Sequence, residues 1–120
     1  MSHVTTHVLD TARGRPAAGV PVRLERPASH GAGADGRTGG WTAIASTATD
    51  DDGRAGALGP ERLAAGPYRL VFDTAHYFAR TGQQGLYPEV PVVFELADED
   101  THYHVPLLLS PHSYTTYRGS

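Results

Sequence analysis

The chain has 120 residues and a formal net charge of −3, enough for one domain spanning residues 1–120 whose core buries roughly two thirds of the unfolded surface. It contains no cysteine and all ten of its basic residues are arginine, which removes thiol nucleophiles, disulfides, thiolate metal sites, Schiff-base lysines and P-loop lysines. Val, Leu, Ile and Phe make up less than a fifth of the chain while the charge is small, so a folded domain with a thin core is expected, its remaining apolar surface covered by other subunits.

Val4 to Asp10 alternates with the period of two of a β-strand, placing Val4, Thr6 and Val8 on one face and Thr5, His7 and Leu9 on the other. Further strands are predicted at Val20 to Arg26, Trp41 to Ala48, Arg54 to Leu58, Pro67 to Asp73, Glu89 to Leu96, His102 to Ser110 and Ser113 to Arg118. The glycine-rich segment from Pro27 to Gly40 reads as a mobile loop, and Asp50-Asp51-Asp52-Gly53 as a tight turn between strands. One short helix is expected over Ala75 to Arg80, capped by Thr74 and ended by Gly82. Asp98-Glu99-Asp100 reads as a solvated turn. Eight short strands and a single short helix predict an all-β two-sheet sandwich or barrel.

No apolar run approaches membrane-spanning length and the first residues lack the apolar stretch of a secretory signal, so a cytoplasmic protein without a membrane partner is expected. Scattered arginines without a basic stripe argue against nucleic acid.

Histidines carry the candidate chemistry. His102 and His104 lie two apart on a predicted strand and share a face with Pro106, Leu108 and Ser110, while Tyr103, Val105, Leu107 and Leu109 form the core face. His7 occupies the outward face of the first strand. Two histidines on outward, partly apolar faces suggest a site where subunits meet. The His-x-His pair also has metal-ligand spacing, with His7 and an aspartate available as further ligands, although neither cysteine nor a helical His-Glu-x-x-His pattern supports this. No serine sits in a Gly-x-Ser-x-Gly elbow, and the acids fall mostly in turns, against paired-carboxylate chemistry. Asp10, Asp73 and Glu95 are acids of a type that can orient a histidine, but the sequence alone does not place them beside one. The sequence ends directly after a predicted strand, where the hydroxyl and carboxylate of Ser120 are expected to line a site.

Taken together, Thr6-His7-Val8-Leu9-Asp10-Thr11 with Gly14-x-Pro16-Ala17, Asp52-Gly53-Arg54, Tyr87-Pro88-Glu89-Val90, the run from His102 to Pro111 and the terminal Tyr117-Arg118-Gly119-Ser120 resemble the 5-hydroxyisourate hydrolases. These are the enzyme branch of the transthyretin-like family. The resemblance implies a prealbumin-like two-sheet sandwich assembled as a homotetramer, a dimer of dimers with sites in the channel between them, and no metal or organic cofactor. It implies hydrolytic ring opening of the small molecule 5-hydroxyisourate in urate breakdown, with His7, Arg54 and His104 catalytic and Tyr117, Arg118, Gly119 and Ser120 binding substrate. The sequence departs from the family in a longer loop from Pro27 to Gly40 and in His112-Ser113, where an aromatic residue followed by Gly or Ser is usual. A non-catalytic small-ligand carrier on the same fold is the alternative, and a metal-binding β-domain using His102 and His104 a third.

Overall fold

A computed structural model describes residues 2–28 and 40–120. Nine strands and one helix follow in order: β1 Val4–Asp10, β2 Arg15–Pro16, β3 Pro21–Pro27, β4 Trp41–Ala48, β5 Arg54–Ala55, β6 Gly66–Phe72, α1 Thr74–Arg80, β7 Val90–Leu96, β8 Tyr103–Ser110 and β9 Ser113–Thr116. They form two sheets. One has the order β2-β1-β8-β9, with β5 also pairing along β1; the other has the order β4-β3-β6-β7. Alternation puts Val4 and Val8 of β1, Tyr103, Val105, Leu107 and Leu109 of β8, and Leu24, Leu70, Phe72 and Leu96 of the second sheet into one buried cluster between the sheets. The expected core faces of the first and eighth strands are those observed. Truncating a member such as Leu107 removes about 2 to 5 kcal/mol of stability.

Long-range pairing positions the site. β1 runs parallel to β8, with Thr5 opposite His104 and His7 opposite Pro106. Along its other edge β1 pairs antiparallel with β5, setting His7 opposite Arg54.

Several element boundaries differ from expectation. The two-residue β2 is too short to show an alternation. The predicted strand from Arg54 to Leu58 pairs only over Arg54–Ala55, and Leu58 is buried outside any ladder. Asp73, not Thr74, caps α1: its carboxylate accepts the His76 N–H, while Thr74 is the first helical residue and donates its buried hydroxyl to the Tyr87 carbonyl. β9 stops at Thr116 instead of Arg118. The physical reason is Pro106, which lacks an N–H for the ladder; the Thr116 hydroxyl bonds the Pro106 carbonyl instead, at 2.8 Å. The tail regains β8 in the same register, where the Gly119 N–H donates to the His104 carbonyl at 2.7 Å. Of the predicted Pro27 to Gly40 loop, Pro27 ends β3 opposite Trp41 and Ala28 bonds Gly40; residues 29–39 lie outside the described residues.

Candidate functional site

The acidic turn builds one wall. Asp50 Oδ1 accepts the N–H groups of Asp52 and Arg54 at 2.9 and 3.0 Å, and its carbonyl accepts the Gly53 N–H. Gly53 has φ +78°, and a Cβ there would lie 2.4 Å from the Val8 carbonyl oxygen, so only glycine lets the turn close against β1. The turn therefore presents Arg54 beside His7. It also sets the state of His7, whose Nε2 lies 2.8 Å from the Asp52 carbonyl. A carbonyl only accepts, so Nε2 carries a proton, and in the neutral ring Nδ1 is the nitrogen with the lone pair.

The opposite wall comes from the parallel pairing. Thr5 Oγ1 lies 2.9 Å from His104 Nδ1 and 3.0 Å from His102 Nε2, and the two rings stack with centroids 6.5 Å apart. Thr5, Arg54, Ala55, His102, His104 and Ser120 surround an open depression of about 290 Å³. Thr5 Oγ1 occupies Nδ1 of His104 and leaves its Nε2 for chemistry. The returning tail presses on this ring: a Cβ on Gly119 would sit 2.7 Å from His104 Cδ2 and 3.1 Å from Pro106 Cγ.

Electrostatics favour a neutral His104. Burial is the largest influence lowering its pKa below the usual histidine value, followed by the positive charge of Arg54 and the neighbouring His102 and His7. A histidine held unprotonated beside a guanidinium combines a lone pair with a fixed positive charge, which suits abstraction of a proton from water and stabilisation of an oxyanion.

Arg54, His104 and Ser120 are thus gathered around one depression, with His7 next to Arg54 and Gly119 packed on His104. Tyr117 and Arg118 are placed elsewhere in the single chain. They line a second depression with Val93, Phe94, Tyr103 and Val105, and the Arg118 guanidinium stands 4.2 Å above the Tyr103 ring centre. Of the acids considered as histidine partners, Asp10 instead accepts from Tyr77 at 2.6 Å, Gln83 at 3.1 Å and the Arg13 N–H at 2.9 Å, Asp73 caps α1, and Glu95 is exposed on β7. Asp98 closes the expected turn through the Asp100 N–H and the Thr101 hydroxyl. Among the described residues no group of three or more histidine or carboxylate side chains is placed to hold a metal ion. His102 and His104 share a hydroxyl.

Sequence reasoning missed Thr5 as part of this site, and named His102 only as a same-face neighbour of His104 and a metal-ligand candidate. The alternation had already put Thr5 on the His7 face, but only the β1–β8 register reveals that it meets His104.

Known relatives cover almost the whole chain. A 5-hydroxyisourate hydrolase of Mus musculus is 47% identical over 123 residues, covering 99% of this chain and 96% of that protein. The solved Klebsiella pneumoniae 5-hydroxyisourate hydrolase superposes with a TM-score of 0.80 at 33% identity, over 100% of this chain and 94% of that one. Transthyretin from Sparus aurata superposes with a TM-score of 0.86 at 34% identity, over 99% and 97%. The profile of the HIUase/Transthyretin family matches residues 4–119, and the chain belongs to that family.

Proposed function

We propose that this protein is a hydrolase that opens the ring of 5-hydroxyisourate in urate degradation, giving 2-oxo-4-hydroxy-4-carboxy-5-ureidoimidazoline. The observation that carries the reading is the meeting of His104 and Arg54 at one depression, with His7 paired to Arg54 across the β1–β5 ladder, in a chain so similar to the mouse hydrolase. The transthyretin superposition speaks for the fold alone. The histidine and arginine set is what separates catalysis from carriage of a small ligand.

In the proposed reaction, water attacks a ring carbonyl as His104 Nε2 takes its proton. Arg54 binds the substrate's negative charge and stabilises the oxyanion of the tetrahedral intermediate. The C–N bond then breaks and the proton passes to the leaving nitrogen, so that the ring gains one water and no other species is consumed. His7, with its Nε2 proton held by Asp52, offers Nδ1 as an acceptor that orients the water. Ser120 and Gly119 shape the pocket floor, and Tyr117 and Arg118 join it from a neighbouring subunit.

The same proposal takes the enzyme as a cytoplasmic homotetramer, a dimer of dimers. Its support is the apolar surface on the single chain: Leu86 and Val93 are 61% exposed and Tyr117 53%, with Tyr87 edge-on to Tyr114 at 5.3 Å.

The test is a decay assay in which urate oxidase generates 5-hydroxyisourate and the protein accelerates its disappearance. His104→Ala and Arg54→Ala each lower turnover at least about a hundredfold, the loss of a general base or an oxyanion donor, without changing the oligomeric state in sedimentation. A wild-type protein that leaves the decay rate unaltered, or variants with near-normal rates, overturns the assignment.

A further inference from the structure

Thr5 is 8% exposed and its hydroxyl bonds two imidazoles at once. A hydroxyl has a single proton. When it donates to one of the two facing nitrogens and accepts from the other, the protonation pattern of His102 is coupled to that of His104. In one arrangement His104 Nδ1–H donates to Thr5, Thr5 donates to His102 Nε2, and His104 Nε2 is a bare lone pair ready to act as a base. In the other, His102 Nε2–H donates to Thr5, Thr5 donates to His104 Nδ1, and His104 Nε2 carries the proton.

We propose that Thr5 joins His102 and His104 into a proton relay in which His102, on the rim of the depression, holds the proton that His104 takes from the attacking water. This rests on the hydrolase reading above. As the water O–H breaks, its proton bonds to His104 Nε2, the proton on His104 Nδ1 moves to Thr5 Oγ1, and the Thr5 proton moves to His102 Nε2. His104 ends neutral with its proton on Nε2, and His102 becomes an imidazolium. When the C–N bond breaks the sequence reverses: His104 Nε2 protonates the leaving nitrogen, Nδ1 recovers its proton from Thr5, and Thr5 recovers its own from His102. No proton is gained or lost over the cycle.

The surroundings explain why the charge belongs on His102. A positive His104 would be half-buried beside Arg54 and His7. His102 is exposed and also borders a second depression lined by Glu61, Arg62, Glu99 and Asp100. Of these, Arg62 is engaged by Glu99 and Asp100. His3, in the same depression, has both ring nitrogens bonded, by the Leu63 N–H and the Thr101 carbonyl. The tail's Arg118 is turned away over Tyr103. Moving the charge from His104 to His102 therefore takes it from a half-buried place beside a guanidinium to solvent, through one hydroxyl. Thr5 and His102 are positioning residues in this scheme, since neither touches the water.

The experiment measures kcat, KM and their pH dependence on 5-hydroxyisourate for the intact wild-type protein and for Thr5→Val, Thr5→Ser, His102→Gln and the Thr5→Val/His102→Gln double variant. The relay predicts that Thr5→Val and His102→Gln each lower kcat about tenfold with KM unchanged, a share of the effect of general-base catalysis. Thr5→Ser, which restores a hydroxyl, recovers activity to within about threefold of wild type, and the double variant is no slower than either single one because both break the same chain. The relay adds one proton to the acid limb of the wild-type kcat, since His102 must begin unprotonated as well as His104, and His102→Gln lowers the steepness of that limb by one proton. His102 is exposed, so its variant reports even where Thr5→Val fails to fold. An active wild type with His102→Gln within about twofold of it, with additive losses in the double variant, or with an acid limb of unchanged steepness overturns the relay alone. An inactive wild type overturns the hydrolase reading and the relay together.

Discussion

The outer faces of the two sheets both bury polar side chains, in opposite ways. On the β3–β6 pair, Glu25 is 5% exposed and accepts from Arg23 Nε at 2.6 Å and Arg69 Nε at 2.7 Å, while the Arg69 guanidinium lies 4.8 Å from the Trp41 ring centre. Burial by itself would raise the Glu25 pKa, but the two guanidiniums outweigh it and hold the carboxyl below the usual glutamate range. On the β1–β8 pair, Thr5 is similarly buried, yet its partners are imidazoles whose protons can move. The nearby fixed charge, Arg54, forms no ion pair among the described residues. The first cluster is closed and every charge in it is answered, so it can stabilise but do no chemistry. The second keeps a lone pair, a mobile proton and a positive charge available to a substrate, as a site for proton transfer must.

This contrast has consequences that can be measured. Glu25→Ala removes two charge-assisted hydrogen bonds and is expected to lower folding stability by about 2 to 3 kcal/mol. The shift of the denaturant midpoint reads the cost, while kcat/KM of the folded protein stays at its wild-type value; a large loss of activity per folded molecule would join the two faces and end the distinction. Gly119→Ala does the reverse. Its Cβ displaces the His104 ring or the tail, so kcat falls about tenfold, equivalent to about 1.4 kcal/mol, with the thermal midpoint almost unchanged; a variant as fast as wild type would show that the tail does not hold His104.

The smallest effect is one of pH. Because burial first and Arg54 second hold His104 in its neutral form, the base is lost only when the pH falls below the ordinary histidine range. Arg54→Met removes one of these influences, His104 then protonates at higher pH, and the acid limb of the residual activity moves upward. An acid limb that stays in place would mean that Arg54 does not act on His104. The same sign holds for stability. A histidine kept neutral by the fold contributes stability above the pKa of the unfolded chain and loses it as the pH falls, because the unfolded state then binds the proton first.

Much of the fold could be read residue by residue. The alternation in β1 and β8 identified the correct core faces because side-chain direction in a strand depends only on position along it, and Asp50 to Gly53 announced its turn because those residue types tolerate the backbone it requires. The helix cap was misplaced by one residue, since both Asp73 and Thr74 are good caps and only the buried hydroxyl bond of Thr74 to Tyr87 decides between them. The end of β9 was misread because the residue that interrupts it, Pro106, sits on the partner strand.

What the amino-acid sequence determined alone was local: where strands form, which face of each is apolar, where the chain turns, and which histidines face outward. Register belonged to the tertiary structure. The parallel alignment of β1 with β8 puts Thr5 between His102 and His104, and the β1–β5 ladder puts His7 beside Arg54. Both depend on packing the two sheets around a common core, which couples His7 to Arg54, 47 positions on, and Thr5 to His104, 99 positions on. A shift of two residues in either pairing would keep each strand's apolar face inward and still disperse the site.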